Sequence, residues 1–346
     1  MVAYAVRRVL LIIPTLLLVT IIVFLLVRLI PGNVVDLMLD EIYGLGAGAS
    51  GGAGSVGSSG VTIDRAEIER RLGLDVPVHV QYGRWIGVLR TPNAMTGELA
   101  FNGIFQGNLG TSVRTNRDMT EEIVSRFPVT FELGLLAVLI ANLIAIPIGI
   151  YSAIRQDTWL DYLGRSFSIL SLATPAFWLA TILIVYGARY LHWSPAVEYI
   201  PFSEDPIENL KILIIPAVLV GTAMSGGMMR YLRTITLEVL RQDYVRTAWS
   251  KGLKERVVIL RHALRNALIP LITIFAPQVG LLIGGSVIME KIFVLPGIGQ
   301  YMLRTLLERD YWVVSGTNLI FAVFTMLLVL ITDFSYAYLD PRIRYK

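Results

Sequence analysis

The sequence contains no cysteine, which excludes a disulfide framework, a thiolate metal site and a thiol nucleophile. Histidine is nearly absent too. His79, His192 and His262 all fall in expected loops or at an interface, and none belongs to an HExxH helix. Charge is scarce: 16% of the 346 residues are charged, where a soluble domain carries about 25%. What is plentiful is apolar. The hydrophobic share is 55% and the mean hydropathy +0.64, the balance of an integral membrane protein. The net charge of +4 is modest, and the basic residues crowd into a few loops held at a membrane, which speaks against nucleic acid as a partner.

Long apolar runs order the chain. Residues 1–31 form the first transmembrane helix. Arg7 and Arg8 precede an apolar run of about twenty residues, the length of one crossing, and the run ends in Arg28-Leu-Ile-Pro31-Gly32 with no small-residue cleavage site. The flanking arginines place its N-terminus in the cytoplasm. Residues 32–128 are then an external insertion. Within it, 12 of the 17 residues of Gly44–Gly60 are Gly or Ser, a flexible-linker composition. No Gly-Lys-[Ser/Thr] follows it, so it is not a phosphate-cradling loop. Ile63–Leu72 is expected to form a short amphipathic helix, with Trp85, Phe101 and Phe105 in a small cap.

Residues 129–346 carry five further expected spans: Val129–Ile154, Ser166–Tyr190, Ile212–Met229, Leu268–Met289 and Val313–Tyr338. Arg155–Arg165 turns the chain inside, Leu191–Lys211 and Glu290–Tyr311 lie outside, and the basic tail DPRIRYK lies inside. Six spans with both termini cytoplasmic satisfy every short-loop charge bias at once. The expected class is therefore an all-α integral membrane protein of six transmembrane helices with an external insertion after the first.

Between Arg230 and Arg265 stand nine Arg or Lys and only three acids, Glu238, Asp243 and Glu255. Each such cation costs roughly 2.5–3.5 kcal/mol at a bilayer centre, so this segment stays on one face. Ile235–Trp249 and Lys254–Asn266 have helical character. Gly252 between them permits a sharp turn where a side chain would clash. Physically, this is a compact knob or an amphipathic helix on anionic lipid, and composition does not choose between them.

Enzyme signatures are weak. Ser225 in Gly-Thr-Ala-Met-Ser-Gly has no histidine within a span to act as its base, and small residues for close helix packing explain the string better. Glu132, Asn142 and Asp333 are the functional candidates among polar residues within spans. For them packing or anchoring is the simpler reading: water at the outer end for Glu132, a neighbouring helix for Asn142, a cytoplasmic cation for Asp333. Met224, Met228 and Met229 suit helix packing and, being adaptable, also suit a pathway wall. Scarce intramembrane carboxylates disfavour an ion-coupled secondary transporter.

Arg246-Thr247-Ala248, followed after three residues by Gly252, resembles the cytoplasmic EAA loop of ABC-importer permeases. The following HALRNALIP (His262–Pro270) narrows the match. The sequence resembles the oligopeptide/dipeptide/nickel permease family, in particular its first, B-type permease subunit. The strings RLIPGN, GNLGTSVRT, RFPVTFELGLLA, TPAFWLA, LPGIGQ, RDYWVVSG and YLDPRIRY continue it in order over nearly the whole chain. The general loop begins Glu-Ala-Ala where this one reads Arg-Thr-Ala, and its proline is delayed to Pro270; both are usual in the peptide branch.

The resemblance implies a type I ABC importer permease fold and a coupling loop at 233–266 that docks on a cytoplasmic ATPase. It assigns that loop Arg246, Thr247, Ala248, Lys251, Gly252, Leu253, His262, Arg265 and Asn266. Candidates for pathway or gating are Glu132, Asn142, Met224, Met228, Pro296 and Gly297. Implied partners are a second homologous permease, two ABC ATPase subunits, an external solute-binding protein and the lipid bilayer. No catalytic residue, metal or cofactor is implied in this chain. ATP and Mg2+ belong to the ATPase subunits.

Overall fold

The structure is a computed structural model. It describes residues 2–28, 73–92, 99–112, 114–115, 117–264, 267, 278 and 286–339. The Gly/Ser segment 44–60, the helix expected at 63–72, most of the span expected at 268–289, Arg265, Asn266 and the C-terminal tail lie outside the described residues.

The described chain is mainly helical. Helix α1 (Val2–Arg28) is followed by the short α2 (Val78–Ile86) and a two-stranded antiparallel ladder, β1 (Thr91–Pro92) with β2 (Leu99–Ala100), pairing Thr91 with Ala100. Helix α3 runs Met119–Ile154. It starts earlier than the apolar run because Asp118 Oδ1 accepts the Thr120 N–H at 2.7 Å and the first turn is acidic, which suits a helix N-terminus. Then come α4 (Trp159–Ala173) and α5 (Ala176–Leu191), α6 (Pro206–Leu240) and α7 (Asp243–Ser250). A single turn, α8 (Glu255–Val257), widens into π-helical Val258–Ala263. Helices α9 (Ile298–Leu307) and α10 (Tyr311–Leu339) follow.

Among the described residues four helices are long and apolar enough to cross a membrane: Val6–Leu25, Met119–Ile154, Pro206–Leu240 and Trp312–Ser335. Helices α4 and α5 make a fifth candidate only as a broken span, bent by 89°. A single straight helix was expected at Ser166–Tyr190. The chain instead breaks at Thr174, which sits extended (φ −96°, ψ 117°) because the following Pro175 disfavours a helical conformation before it. At 35 residues, α6 is about 50 Å long, well beyond the roughly 30 Å apolar core of a bilayer.

The chain divides into two compact units. In the first (Met1–Ile13, Arg126–Tyr301, Val323–Lys346), the core gathers Val129, Leu133, Ala137, Val138, Leu213, Ala217 and Phe293. A further cluster joins Ala145 to Met228, Met229 and Leu232. Small residues set the α4–α6 distance. Ser168 Oγ donates to the Gly226 carbonyl at 2.6 Å, and a Cβ on Gly226 would lie 2.7 Å from the Ser168 carbonyl oxygen. Ser225 Oγ donates within its own helix to the Thr222 carbonyl at 2.7 Å, in keeping with a packing role. Arg8 reaches Asp333 at 2.9 Å, which supplies the anchoring cation expected for that carboxylate.

In the second unit (Pro14–Ser125, Met302–Ala322), Phe24 packs against Tyr82 and Trp85 at ring separations of 5.2 and 5.5 Å. Thr20 and Tyr82 share a hydroxyl–hydroxyl bond of 2.8 Å. Buried Ser112 Oγ donates to Asp310 Oδ2 at 2.6 Å.

Gly226→Val is expected to destabilise the protein by about 1–3 kcal/mol, because the obstructing atom is backbone and cannot rotate away. Gly227→Ala, whose Cβ would find only Leu172 at 3.9 Å, is expected to leave stability unchanged. Thermal unfolding of both variants in mild detergent checks the pair.

Candidate functional site: a helical knob and its anchor

The basic segment folds as a knob at the end of α6. That helix stops at Leu240; Arg241 caps it, Gln242 turns extended (φ −70°, ψ 147°), and α7 begins at Asp243. The one continuous helix expected over Ile235–Trp249 is therefore two. From α7 the chain passes through Gly252, in the left-handed region at φ +73°. A Cβ there would meet nothing within 4 Å. The expected clash is absent, and it is the backbone conformation alone that favours glycine.

The knob has its own small core. Val245 and Ala248 point inward with Val258, and Leu240 packs against them. Ala248 thus joins the knob to itself. Every other residue from Arg241 to Val257 is exposed, including Arg246, Thr247, Lys251 and Leu253. Tyr244, Trp249, Leu253 and Leu260 present large apolar surface among these cations. Thr247 Oγ1 bonds back to the Asp243 carbonyl at 2.8 Å, and Arg246 lies 3.9 Å from Asp243. Arg155 approaches Glu255 at 3.5 Å; both are exposed, so the pair contributes little. His262 falls in the π-helical turn; its side chain, with Arg265 and Asn266, lies outside the described residues.

Beneath the knob is an ion pair that sequence reasoning passed over. Arg233, near the end of α6, makes two 2.8 Å bonds to Asp161 in the first turn of α4. The Asp161 side chain is fully buried and that of Arg233 is 18% exposed. The Asp157 N–H donates to Asp161 Oδ2 at 3.0 Å, and Arg165 stands 3.6 Å from Oδ1 with its guanidinium over the Tyr162 ring at 4.5 Å. The stretch Arg155–Arg165, expected as a simple link, is the site where the knob's helix is gripped.

Two further carboxylates organise the other candidates. Glu290 is fully buried. It accepts from Thr130 Oγ1 at 2.8 Å and Ser286 Oγ at 3.0 Å, from the Gln300 N–H at 2.8 Å and from the Gly299 N–H. Burial pushes its carboxyl above the usual range, and the four donors work against that shift. Any Cβ on Gly297 would collide with the Glu290 carboxylate, so Gly297 is the cover of this cradle, with Pro296 half-buried beside it.

Glu132 Oε2 accepts from Tyr199 Oη at 2.6 Å and Asn209 Nδ2 at 3.0 Å. It is tied to protein donors where interfacial water was expected. Burial, then the neighbouring Glu132 carboxylate, push the Tyr199 phenol far above its ordinary range, which keeps it a donor. Asn142 donates to the Val138 carbonyl of its own helix at 2.8 Å, where a neighbouring helix was expected. Met228 is buried in the Ala145 cluster and Met224 packs against the main core.

Asp161→Ala is expected to lower stability by about 3 kcal/mol, since it leaves a largely buried guanidinium without its partner. Adding Arg233→Met should recover most of that loss by removing the stranded charge. Unfolding midpoints of the single and double variants check this, and a double variant no better than the single would show that the pair is not the cause.

Three comparisons bear on these features. Residues 145–345 match the model of a family described as "Binding-protein-dependent transport system inner membrane component". The chain is 37% identical to the dipeptide transport system permease protein DppB of Alkalihalophilus pseudofirmus, over 100% of both chains. It is 38% identical to the oligopeptide transport system permease protein AppB of Bacillus subtilis, and 35% to the glutathione transport system permease protein GsiC of Salmonella paratyphi A, each over 100% of both chains. Among solved structures it is similar in fold to a chain of the MetNI methionine ABC transporter in an inward-facing conformation. There the TM-score is 0.50 at 14% identity, covering 64% of this chain and 98% of that one.

Proposed function

The chain belongs to the family of binding-protein-dependent transport system inner membrane components, and from that premise we propose that it is one permease subunit of an ATP-driven importer of short peptides. It is a multi-pass membrane protein, and its full-length relatives are named as dipeptide, oligopeptide and glutathione permeases. In this reading it forms half of a translocation path with a second, homologous permease. Two ABC ATPase subunits bind ATP and Mg2+ on the cytoplasmic side, and a solute-binding protein delivers peptide outside. This chain contributes no catalytic group.

The knob is the coupling element, and one observation carries that assignment. A helix lying on lipid buries its apolar face in the bilayer. Here the apolar side of α7, Val245 and Ala248, is already occupied by Leu240 and Val258. What the knob offers outward is Trp249 and Leu253 among Arg246 and Lys251, a convex mixed surface suited to a groove in a protein. Motion received there passes along α6 and, through Arg233, to α4. Alternating access then follows as rocking of preformed helices.

Trp249→Asp with Leu253→Asp should abolish co-purification of the ATPase subunits and peptide uptake while the chain still inserts, since both side chains are about two-fifths exposed. Undiminished ATPase association would sink the coupling role.

The reading also places six spans with both termini in the cytoplasm and residues 32–128 outside. The natural lack of cysteine makes this directly testable with a membrane-impermeant maleimide. Ser250→Cys should label only after permeabilisation and Glu204→Cys on intact cells; the reverse pattern would invert the topology.

A further inference from the structure

A cavity of about 300 Å³ lies within the second unit, walled by α2, the β1–β2 ladder, residues 102–111 and Trp312. That size is at the lower end of small-molecule pockets. Among the described residues its lining holds one cation, Arg84, and no acid. Among the described residues Arg84 has no ion-pair partner.

Trp85 also lines the cavity; it is 8% exposed, and its Nε1 has no hydrogen-bond partner among the described residues. The neighbouring amides are engaged. Asn108 Nδ2 donates to Asn102 Oδ1 at 2.8 Å, Asn108 Oδ1 accepts the Gly110 N–H at 2.7 Å, and Gln81 Nε2 donates to the Val76 carbonyl at 2.6 Å. Among the described residues the unmet capacity is therefore the Arg84 guanidinium together with the buried Trp85 indole N–H and Thr91 hydroxyl. The one charge among them is positive, and it calls for an anionic acceptor. The indoles of Trp85 and Trp312, with Pro92 and Leu109, make the remaining wall apolar, which suits an organic body better than a bare inorganic anion.

We propose that this cavity binds a small organic carboxylate, its oxygens received by Arg84 and its apolar body lodged against the wall of Trp85, Trp312, Pro92 and Leu109. The choice of ligand rests on the peptide-import reading: the α-carboxylate of a short peptide has this chemistry, and the pocket admits a molecule of that size. Arg84, the one charged group among the described lining residues, makes the C-terminal end the part that is recognised.

The test uses the full chain, with whatever subunits co-purify, in phosphatidylethanolamine/phosphatidylglycerol nanodiscs and without binding protein. Radiolabelled trialanine and its C-terminal amide are compared by equilibrium dialysis. Saturable binding is expected for the acid, weaker by about tenfold for the amide, which lacks the charge a guanidinium fork recognises. Arg84→Gln should weaken the acid by about the same factor and erase the preference. Arg90→Gln, whose guanidinium sits over Phe101 away from the lining, should change neither.

No saturable binding, equal binding of acid and amide, or indifference to Arg84→Gln would each overturn the proposal. So would Arg84-dependent attachment of the system's own binding protein with trialanine ignored, because the cavity would then be a socket for a protein side chain. ATPase subunits retained in a preparation that ignores trialanine would sink the cavity alone; their absence from it would sink the importer reading as well.

Discussion

A carboxylate with no solvent exposure and a guanidinium nearly without it, joined by two 2.8 Å bonds, fix where α6 and α4 meet. In a low-dielectric setting neither group is tolerable alone, so the pair behaves as a rivet. Just beyond it, towards the middle of the helices, Gly226 and Ser168 bring the two backbones close enough that neither can slide. In the proposed coupling role, a knob seated on a helix gripped in this way would transmit displacement. The same knob on a loose helix would dissipate it. The assignment of 233–266 as a coupling loop thus depends on Asp161, a residue some seventy positions away, as much as on the loop's own motif.

Glu290 solves a related problem differently. Among the described residues no cation meets it; four neutral donors do, two of them backbone N–H groups in the first turn of α9. Gly297 covers the carboxylate, and Thr130 on α3 both donates to it and accepts the Ile298 N–H at 2.9 Å. The first turn of α9 and the Leu295–Gly297 segment before it are therefore strapped to α3 by hydrogen bonds that lose geometry with small movements. An ion pair keeps most of its attraction over the same displacement.

What could be read from the residues followed their regularity. Long apolar runs announced α1, α3, α6 and α10, because crossing a bilayer demands length and little else. The basic segment announced itself by charge, and Gly252 by being a lone glycine between helical stretches. The misses were events without a period. The break at Thr174–Pro175 needed one proline read as a corner, the turn at Arg241–Gln242 carries no glycine or proline at all, and Asp161–Arg233 joins distant helices. Glu290 belongs with them: LPGIGQ reads as a family-like string with Pro296 and Gly297 as pathway or gating candidates, and nothing in it names the carboxylate that Gly297 covers. The left-handed turn at Gly252 was anticipated, but its cause is torsional; a side chain would have room there and no comfortable φ.

The pairing of Arg8 with Asp333 has a consequence for biogenesis. It closes the first helix on the last, so it cannot form until nearly the entire chain has left the ribosome. At about 5–20 residues per second the arginine waits on the order of tens of seconds, held at the interface by snorkelling. A chain truncated before Asp333 cannot make this contact, and its first helix meets the bilayer without that tie to α10.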